Sequence, residues 1–222
     1  MNKTSKKIIL IVFDLSFFFS HRYELIKRLS NQNIEFTIVS SFEGHPPINE
    51  KNITYHFINS SRENFNVFNL IHNSILLSKL IKSYNPDLIY AVSHRSIFLA
   101  RLSNIFLKKS SLYAITGMGS MFTKQKSVIK NIKTGFLKYI ALTIYKLIIK
   151  GRGVNFLLQN KDDLQLLQDK KIAFQSNSFV IEGNGIEESF FHPPTAPPQR
   201  FQFIMIARIL KDKGVLEFCE AA

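Results

Sequence analysis

Short apolar runs alternate with longer segments of helical period along most of the chain. The runs of strand length are Ile8–Phe13, Phe36–Val39, Ile53–Ile58, Asp87–Val92, Ser111–Thr116, Val154–Leu158 and Phe179–Ile181. The helices predicted between them are His21–Asn31 with Ser20 as N-cap, Asn66–Tyr84, Ser96–Leu107, Val128–Lys150 with a break at Gly135, and Asp162–Gln168. Strands that are apolar throughout are buried on both faces, as in a parallel sheet covered by helices. The alternation therefore predicts an α/β fold with a doubly wound parallel sheet.

A proline-rich connector follows the last predicted strand, with prolines at positions 193, 194, 197 and 198. Proline fixes φ and lacks a backbone N–H, so this stretch favours an extended linker. A further apolar run, Phe201–Ala207, then predicts the first strand of another domain. We expect a first domain over residues 1–186, a linker over 187–200, and the incomplete start of a second domain, one strand and one helix, over 201–222.

Ligands of doubly wound sheets bind at the carboxyl ends of the strands, so residues just past those ends are candidates for a site. His21 and His94 lie in such places, where an imidazole serves acid–base chemistry or hydrogen bonding, or is merely structural. Thr116, Gly117 and Gly119 follow another strand. Their backbone N–H groups could approach a phosphate or a sugar closely, although the same residues also suit a plain tight turn.

Several kinds of chemistry are not indicated by the sequence. It contains neither the GxGxxG pattern of dinucleotide sites nor a Walker A loop, and no spaced His/Cys/Asp set that predicts a metal. The single Cys219 excludes an intramolecular disulfide. Asp14 interrupts the N-terminal apolar run, and no cleavage site follows it, so a signal peptide is not indicated. We expect a cytosolic protein with no resident metal or redox cofactor.

The positive charge of the chain is concentrated in one segment. The net charge is +13, and residues 88–161 contain 13 Lys and Arg but no Asp or Glu. Such a segment favours an anionic partner, namely lipid head groups, a nucleotide diphosphate or nucleic acid, and it also fits a solvated surface. Within it, Lys138, Lys146 and Lys150 fall on one helical arc opposite apolar residues. That arc suits a helix lying on an anionic membrane, or equally a helix packed on the sheet with a solvated edge.

Two motifs near the end of the chain carry a family resemblance. The segment Gly185-Ile-Glu-Glu-Ser-Phe-Phe-His-Pro193 is similar to Gly-Val-Asp-x-x-x-Phe-x-Pro, with Glu187 in place of Asp. The segment Ala207-Arg208-Ile-Leu-Lys-Asp-Lys213-Gly214 is similar to Gly-Arg-Leu-x-x-x-Lys-Gly. Weaker support comes from Ser20-His21-Arg22, Thr116-Gly117-Met118-Gly119 and Gln159-Asn160-Lys161-Asp162-Asp163. In this order, the motifs resemble retaining family 4 glycosyltransferases of GT-B fold, closest to the branch that extends lipid-linked sugars.

The resemblance implies roles for several residues. Arg208 and Lys213 would bind the diphosphate of a nucleotide-sugar donor, expected to be UDP-linked, and Gly183 and Gly185 would border the interdomain cleft. The N-terminal domain would bind a lipid-linked glycan acceptor, with His21, His94, Thr116, Gly117 and Gly119 as candidate contacts. The resemblance also favours the interpretation that Lys138, Lys146 and Lys150 face a membrane, with the protein bound peripherally at its inner face.

The sequence departs from the family pattern in three places. Gly117 stands where many members have a histidine, so no catalytic residue is assigned, and Ala207 replaces a glycine. The acidic Glu-x7-Glu motif of the donor site would lie beyond Ala222. We therefore expect a chain truncated after the start of the donor domain, and inactive by itself.

Two other functions are compatible with parts of the sequence. One is a non-catalytic membrane-docking subunit that needs a separate donor-domain chain. The other is a basic nucleic-acid-binding protein. The second is not favoured, because the aromatic residues fall within predicted strands and helices rather than in a basic-aromatic recognition motif.

Overall fold

The computed structural model describes residues 5–41, 50–58, 67–117, 146, 149, 151–192, 200, 202–207, 209 and 213–221. The chain separates into two compact units, Met1–Gly185 and Ile186–Ala222. The first unit contains all the strands of the sheet described below.

Seven strands form one parallel sheet in the first unit. They are β1 (Lys6–Ile11), β2 (Ile34–Ser40), β3 (Ile53–Phe57), β4 (Leu88–Val92), β5 (Ser111–Ile115), β6 (Val154–Leu158) and β7 (Ser178–Val180). Their order across the sheet is β3-β2-β1-β4-β5-β6-β7, and every neighbouring pair is parallel. This order extends the Rossmann order 3-2-1-4-5-6 by one strand. The predicted doubly wound parallel sheet is confirmed.

Helices cover both faces of the sheet. They are α1 (Leu15–His21), α2 (Tyr23–Ser30), α3 (Val67–Tyr84), α4 (His94–Asn104) and α5 (Lys161–Asp169), and a 3-10 turn, Gln175–Asn177, precedes β7. The alternation of side chains along β1 shows the two layers. Ile9 and Ile11 join a buried cluster with residues of α3, α4 and α5, whereas Leu10 joins a second cluster with residues of α1 and α2. The continuously apolar strands are thus explained by burial on two sides.

The predicted helix His21–Asn31 corresponds to α2, but a separate helix, α1, precedes it and was not predicted. Asp14, three residues after the end of β1, caps α1. Its Oδ1 accepts hydrogen bonds from the backbone N–H groups of Ser16 at 2.9 Å and Phe17 at 3.3 Å. Ser20 is not an N-cap: it lies inside α1, and its Oγ donates to the carbonyl oxygen of Ser16 at 2.8 Å. The helical run then breaks at Arg22.

The second unit contains a 3-10 turn, Glu188–Phe190, and a helix, α6 (Val215–Ala221). The helix predicted for this part of the chain is therefore present. Residues 202–207 lie outside any strand, and Ile204 and Ile206 are exposed. A strand needs a neighbour for its hydrogen bonds, and the described residues of this unit supply no strand to the sheet.

Most of the predicted helix Val128–Lys150, including Gly135, falls outside the described residues. Lys146 and Ile149 are described, and both are helical. Ile149 is fully buried in the cluster that contains Ile9 and Ile11. In the part of the chain that the structure describes, no helix has the length and apolar character needed to cross a membrane.

A buried amide holds the turn between α4 and β5. The Nδ2 of Asn104 donates to the carbonyl oxygen of Lys109 at 2.7 Å and to the Oγ of Ser111 at 3.1 Å. Its Oδ1 accepts from the backbone N–H of Lys109 at 2.9 Å. One side chain therefore satisfies a backbone donor and a backbone acceptor where the chain enters β5.

We expect Asn104→Ala to lower the free energy of unfolding by about 2–3 kcal/mol, because it removes three hydrogen bonds of a buried amide and leaves the backbone N–H of Lys109 without this partner. Urea unfolding at neutral pH measures the loss. Ser103→Ala is the matched control: Ser103 is equally buried, but it makes one bond, to the carbonyl oxygen of Leu99 at 2.7 Å. Its loss should stay below about 1 kcal/mol. Equal losses in the two variants would contradict this role of Asn104.

Candidate functional site

The reversal of strand order places the candidate site. From β1 the sheet continues through β2 and β3 on one side, and through β4 to β7 on the other. The connections leave the carboxyl ends of β1 and β4 toward opposite faces, which opens a crevice there in open α/β sheets. The residues that follow β1, β4 and the neighbouring β5 therefore form the edge at which a ligand would bind.

Phe13 and Arg95 join the carboxyl ends of β1 and β4. The guanidinium carbon of Arg95 lies 4.6 Å from the centroid of the Phe13 ring, which is a cation–π contact. Arg95 is in the first turn of α4, and Phe13 precedes the cap of α1. The contact thus brings a positive charge to the point where the strand order reverses.

Ser93 has a strained backbone at the same place. Its φ of 76° and ψ of 155° belong to a region that essentially only glycine populates. Its N–H donates to the carbonyl oxygen of Ala114 at 3.0 Å, and its side chain makes no capping hydrogen bond to α4. Such strain persists only where the surrounding structure imposes it, and it is concentrated at functional sites.

His94 connects the ends of β4 and β5. Its Nε2 lies 3.1 Å from the carbonyl oxygen of Gly117. Burial lowers the pKa of His94 below the ordinary value, although the bond to Gly117 and the carboxylate of Asp163 oppose the shift. The imidazole is therefore neutral at pH 7. Because a carbonyl oxygen only accepts, Nε2 carries the proton and donates it to this bond.

Position 117 requires glycine because of its backbone conformation rather than because of packing. Its φ is +144°, and a Cβ built there would meet no atom within 4 Å. An L-residue would be strained in this conformation although there is space for its side chain. His94 thus bonds to a part of the chain that turns away from β5 in a conformation natural only to glycine.

Polar side chains also follow β6 and β7. The Nε2 of Gln159 donates to the Oδ1 of Asn184 at 2.6 Å, which ties the two strand ends together. Asn184 lies between Gly183 and Gly185, whose φ values are +75° and +74°. Asn160 caps α5 by accepting from the N–H of Asp163 at 2.7 Å.

His21 is exposed at the last position of α1. Its ring stacks on that of Phe17 with centroids 4.4 Å apart, and its Nδ1 lies 2.6 Å from the Oγ of Ser20. The next residue, Arg22, is buried, and its Nε has no hydrogen-bond partner among the residues that the structure describes. The sequence motif Ser20-His21-Arg22 therefore spans an exposed imidazole and a buried guanidinium.

The structure brings some of the predicted site residues together and does not test the predicted roles of others. His94, Thr116 and Gly117 lie together at the ends of β4 and β5. Lys146 is half-buried and Lys213 is exposed, next to α6. Gly119, Lys138, Lys150 and Arg208 lie outside the described residues, so their roles, like those of Lys146 and Lys213, stay predictions.

Ser93 and Arg95 were candidates from the sequence as residues just past a strand end, but neither the strained backbone of Ser93 nor the contact between Phe13 and Arg95 was predicted. Their position after strands was visible, but a strained φ and a long-range ring contact have no sequence signal.

Among the described residues, no three His, Cys, Asp or Glu side chains are grouped to hold a metal. A cavity of about 400 Å³ lies near the amino end of β6, lined by Gly151, Arg152, Phe156, Ile172, Phe174 and Asn177.

We expect Ser93→Gly to raise the free energy of unfolding by about 1 kcal/mol. Relief of the strained φ contributes about 1–3 kcal/mol, and the greater chain entropy of glycine offsets part of it. Chemical unfolding of purified protein measures the change. Ser93→Ala keeps the strain and should bring no gain; a gain as large in the alanine variant would show that the hydroxyl, not φ, is responsible.

The lowered pKa of His94 predicts a pH dependence of stability. Below about pH 6.5, the ordinary pKa of histidine, the unfolded chain binds a proton that the folded chain still excludes. The free energy of unfolding should therefore fall as pH decreases through this value toward the folded pKa, and stay level above it. His94→Gln should remove this part of the slope, and the control His56→Gln, in β3, should retain it. Parallel pH profiles for wild type and His94→Gln would refute the assignment.

Comparison with known proteins places this chain and its fold in a family. The family described as glycosyl transferase 4-like matches residues 7–151, which include β1 to β5 and the edge around His94. The N,N'-diacetylbacillosaminyl-diphospho-undecaprenol alpha-1,3-N-acetylgalactosaminyltransferase of Campylobacter jejuni is 27% identical over 220 residues, covering 90% of this chain and 56% of that protein.

Solved structures share the fold. A glycosyltransferase from Rickettsia africae superposes with a TM-score of 0.60 and 21% identity, over 89% of this chain and 48% of its own. Sucrose-phosphate synthase from Thermosynechococcus elongatus also gives 0.60, with 10% identity, over 85% of this chain and 50% of its own. The chain therefore spans about half the length of the proteins it matches. Since the family match extends over more than half of the sequence, the chain belongs to the glycosyl transferase 4-like family.

Proposed function

We propose that the chain is the acceptor-binding part of a retaining glycosyltransferase that transfers a sugar from a nucleotide sugar to a lipid-linked glycan. The observation that carries the proposal is the edge formed by Phe13, Ser93, His94, Arg95 and Gly117, which lies within the family match. In this proposal residues 1–186 form the acceptor domain, 187–200 the linker, and 201–222 the beginning of the donor domain.

The acceptor class is suggested by the Campylobacter relative. Its name describes a sugar joined through a diphosphate to undecaprenol, and the similarity covers most of this chain. We infer an acceptor of the same chemical kind, a glycan on a lipid diphosphate. Arg95, held over the Phe13 ring, supplies a cation at the edge that such an acceptor would approach.

His94 would orient the acceptor-binding backbone. Because its neutral Nε2–H donates to the carbonyl oxygen of Gly117, it fixes the turn that follows β5. Thr116 and Gly117 would then present their N–H groups to the acceptor sugar, together with Gly119 and, from α1, His21. Hydrogen bonds of this kind orient a hydroxyl for attack on the donor. No residue of the chain is assigned as catalytic.

The donor side rests on residues of the second unit. Arg208 and Lys213 would bind the diphosphate of a UDP-sugar, because a guanidinium and an ammonium neutralise the leaving phosphate as the glycosidic bond breaks. The interdomain role of Gly183 and Gly185 remains part of this proposal. Transfer requires a complete donor pocket, so we expect the 222-residue polypeptide to bind acceptor without transferring sugar.

The basic segment from residue 88 to residue 161 is suited to binding an anionic membrane surface. A lipid-linked acceptor confines the enzyme to the bilayer surface, and anionic lipids attract Lys and Arg. Lys138, Lys146 and Lys150 are the proposed contacts of this segment. The proposed location is the cytoplasmic side of the membrane, with the protein bound peripherally.

Binding of an acceptor probe tests the proposal. Radiolabelled undecaprenyl-diphosphate-linked N-acetylglucosamine in nanodiscs should bind the chain, and His94→Gln should weaken binding about tenfold through loss of the turn that His94 fixes. His56→Gln, a half-buried histidine on the edge strand β3, is the matched control and should bind like wild type. Empty nanodiscs separate recognition of the acceptor from adhesion to lipid.

Two results would contradict the proposal. Equal binding to loaded and empty nanodiscs would contradict an acceptor site, and equal losses of binding in the two histidine variants would contradict the role of His94.

Adding UDP-N-acetylglucosamine or UDP-N-acetylgalactosamine tests the expected inactivity of the chain, since we expect no transferred sugar. Turnover by this polypeptide would overturn the expectation that it is inactive alone.

A further inference from the structure

The outward face of α3 exposes an unusual number of large apolar side chains. Phe68 is 81% exposed, Ile71 51%, Ile75 53% and Leu76 38%. These four residues occupy neighbouring positions on the first three turns of the helix. A contiguous apolar patch of this kind on a folded protein marks a site of interaction rather than ordinary surface.

The core of the domain does not account for these residues. The inner face of α3 packs on the sheet through Leu77 and Ile81, which are fully buried in the cluster that contains Ile9. Asn73 and Ser74 are buried as well. The helix therefore already has a complete inward face, and the exposed apolar side chains contribute little to folding.

The ionisable side chains on the same outward arc are basic. Lys79 and Lys82 are exposed on the last turns, and His72 lies between the apolar residues. Neither lysine forms an ion pair with any described residue, and α3 contains no Asp or Glu. The arc therefore combines apolar side chains with uncompensated positive charge, and an anionic lipid surface complements both.

The direction of α3 relates this face to the candidate site. The helix follows β3 and precedes β4, and both strands run parallel in the sheet. It must therefore begin near their carboxyl ends and run back toward their amino ends, over about 27 Å for its 18 residues. Phe68 and Ile71 consequently lie toward the edge that carries His94, and the lysines lie toward the opposite edge.

We propose that the outward face of α3 docks the protein on an anionic bilayer, with the helix in the plane of the membrane. Phe68, Ile71, Ile75 and Leu76 enter the head-group region, while Lys79 and Lys82 contact the lipid phosphates. This surface is distinct from the segment that contains Lys138, Lys146 and Lys150. It agrees with the proposed function, because it holds the carboxyl edge of the sheet close to a lipid-linked acceptor, but it does not depend on transfer.

Vesicle binding tests the surface without donor or acceptor. The probes are vesicles of phosphatidylglycerol with phosphatidylcholine, and of phosphatidylcholine alone, assayed by co-sedimentation. Wild type should bind the anionic vesicles more tightly. Ile71→Ser/Ile75→Ser should weaken that binding about tenfold. Lys79→Gln/Lys82→Gln should weaken it by about fivefold for each lysine, and 0.5 M salt should mimic this loss, since the attraction of exposed lysines is screened.

Matched controls are available on other surfaces. Phe106, beyond the end of α4, is 90% exposed, and Lys51 and Lys171 are exposed lysines away from α3. Phe106→Ser and Lys51→Gln/Lys171→Gln should bind within about twofold of wild type, because the proposed contact does not include them. All the substituted positions are on the surface, so equal unfolding midpoints will confirm that each variant is folded.

Three results would overturn the inference. The first is absence of binding to anionic vesicles by wild type. The second is equal binding by the α3 variants and the controls. The third is conversion of a dimer to a monomer by Ile71→Ser/Ile75→Ser with lipid binding unchanged, which would assign the face to a second copy of the chain. Because no acceptor is present, none of these results bears on the proposed transfer reaction.

Discussion

The position of β1 in the interior of the sheet, between β2 and β4, is the constraint on which the structure depends. β1 pairs with β2 from Lys6 opposite Ile34, and with β4 from Ile8 opposite Leu88. Ile9, Leu10 and Ile11 are fully buried, on alternating faces. Full burial of such side chains contributes about 1.5–3 kcal/mol each, so this strand joins both hydrophobic layers. A polar residue at position 9 or 11 would weaken one cluster, and a polar residue at position 10 would weaken the other.

The same constraint determines where chemistry can occur. Because β1 is the strand at which the order reverses, its carboxyl end and that of β4 open to a shared edge. Ser93 with its strained backbone, His94 and Arg95 lie at that edge. Apolar burial thus fixes the position of the sheet, while residues that burial does not require carry the features of a site.

Much of the fold was predictable, and the parts that were not have physical causes. The apolar runs predicted the strands, because a strand that is buried on both faces of a doubly wound sheet is apolar at successive positions. Periodicity did not predict α1, because Phe17, Phe18 and Phe19 continue the apolar run of the first strand and the cap at Asp14 is recognised only in the structure. In the site, strand ends located His94 and Gly117, but the conformation of Ser93 depends on tertiary structure and leaves no trace in residue type.

The interior position of β1, between β2 and β4, also affects how the chain folds during its synthesis. After residue 40 is synthesised, β1 can pair with β2, but its other side needs β4, which ends at Val92. At ordinary rates of translation this delay lasts roughly 3–10 s. During that time β1, which is apolar from Ile8 to Ile11, has an open edge, the kind of surface on which nascent chains aggregate. Synthesis of this protein should therefore rely on chaperones that shield its first forty residues until the sheet can close around β1.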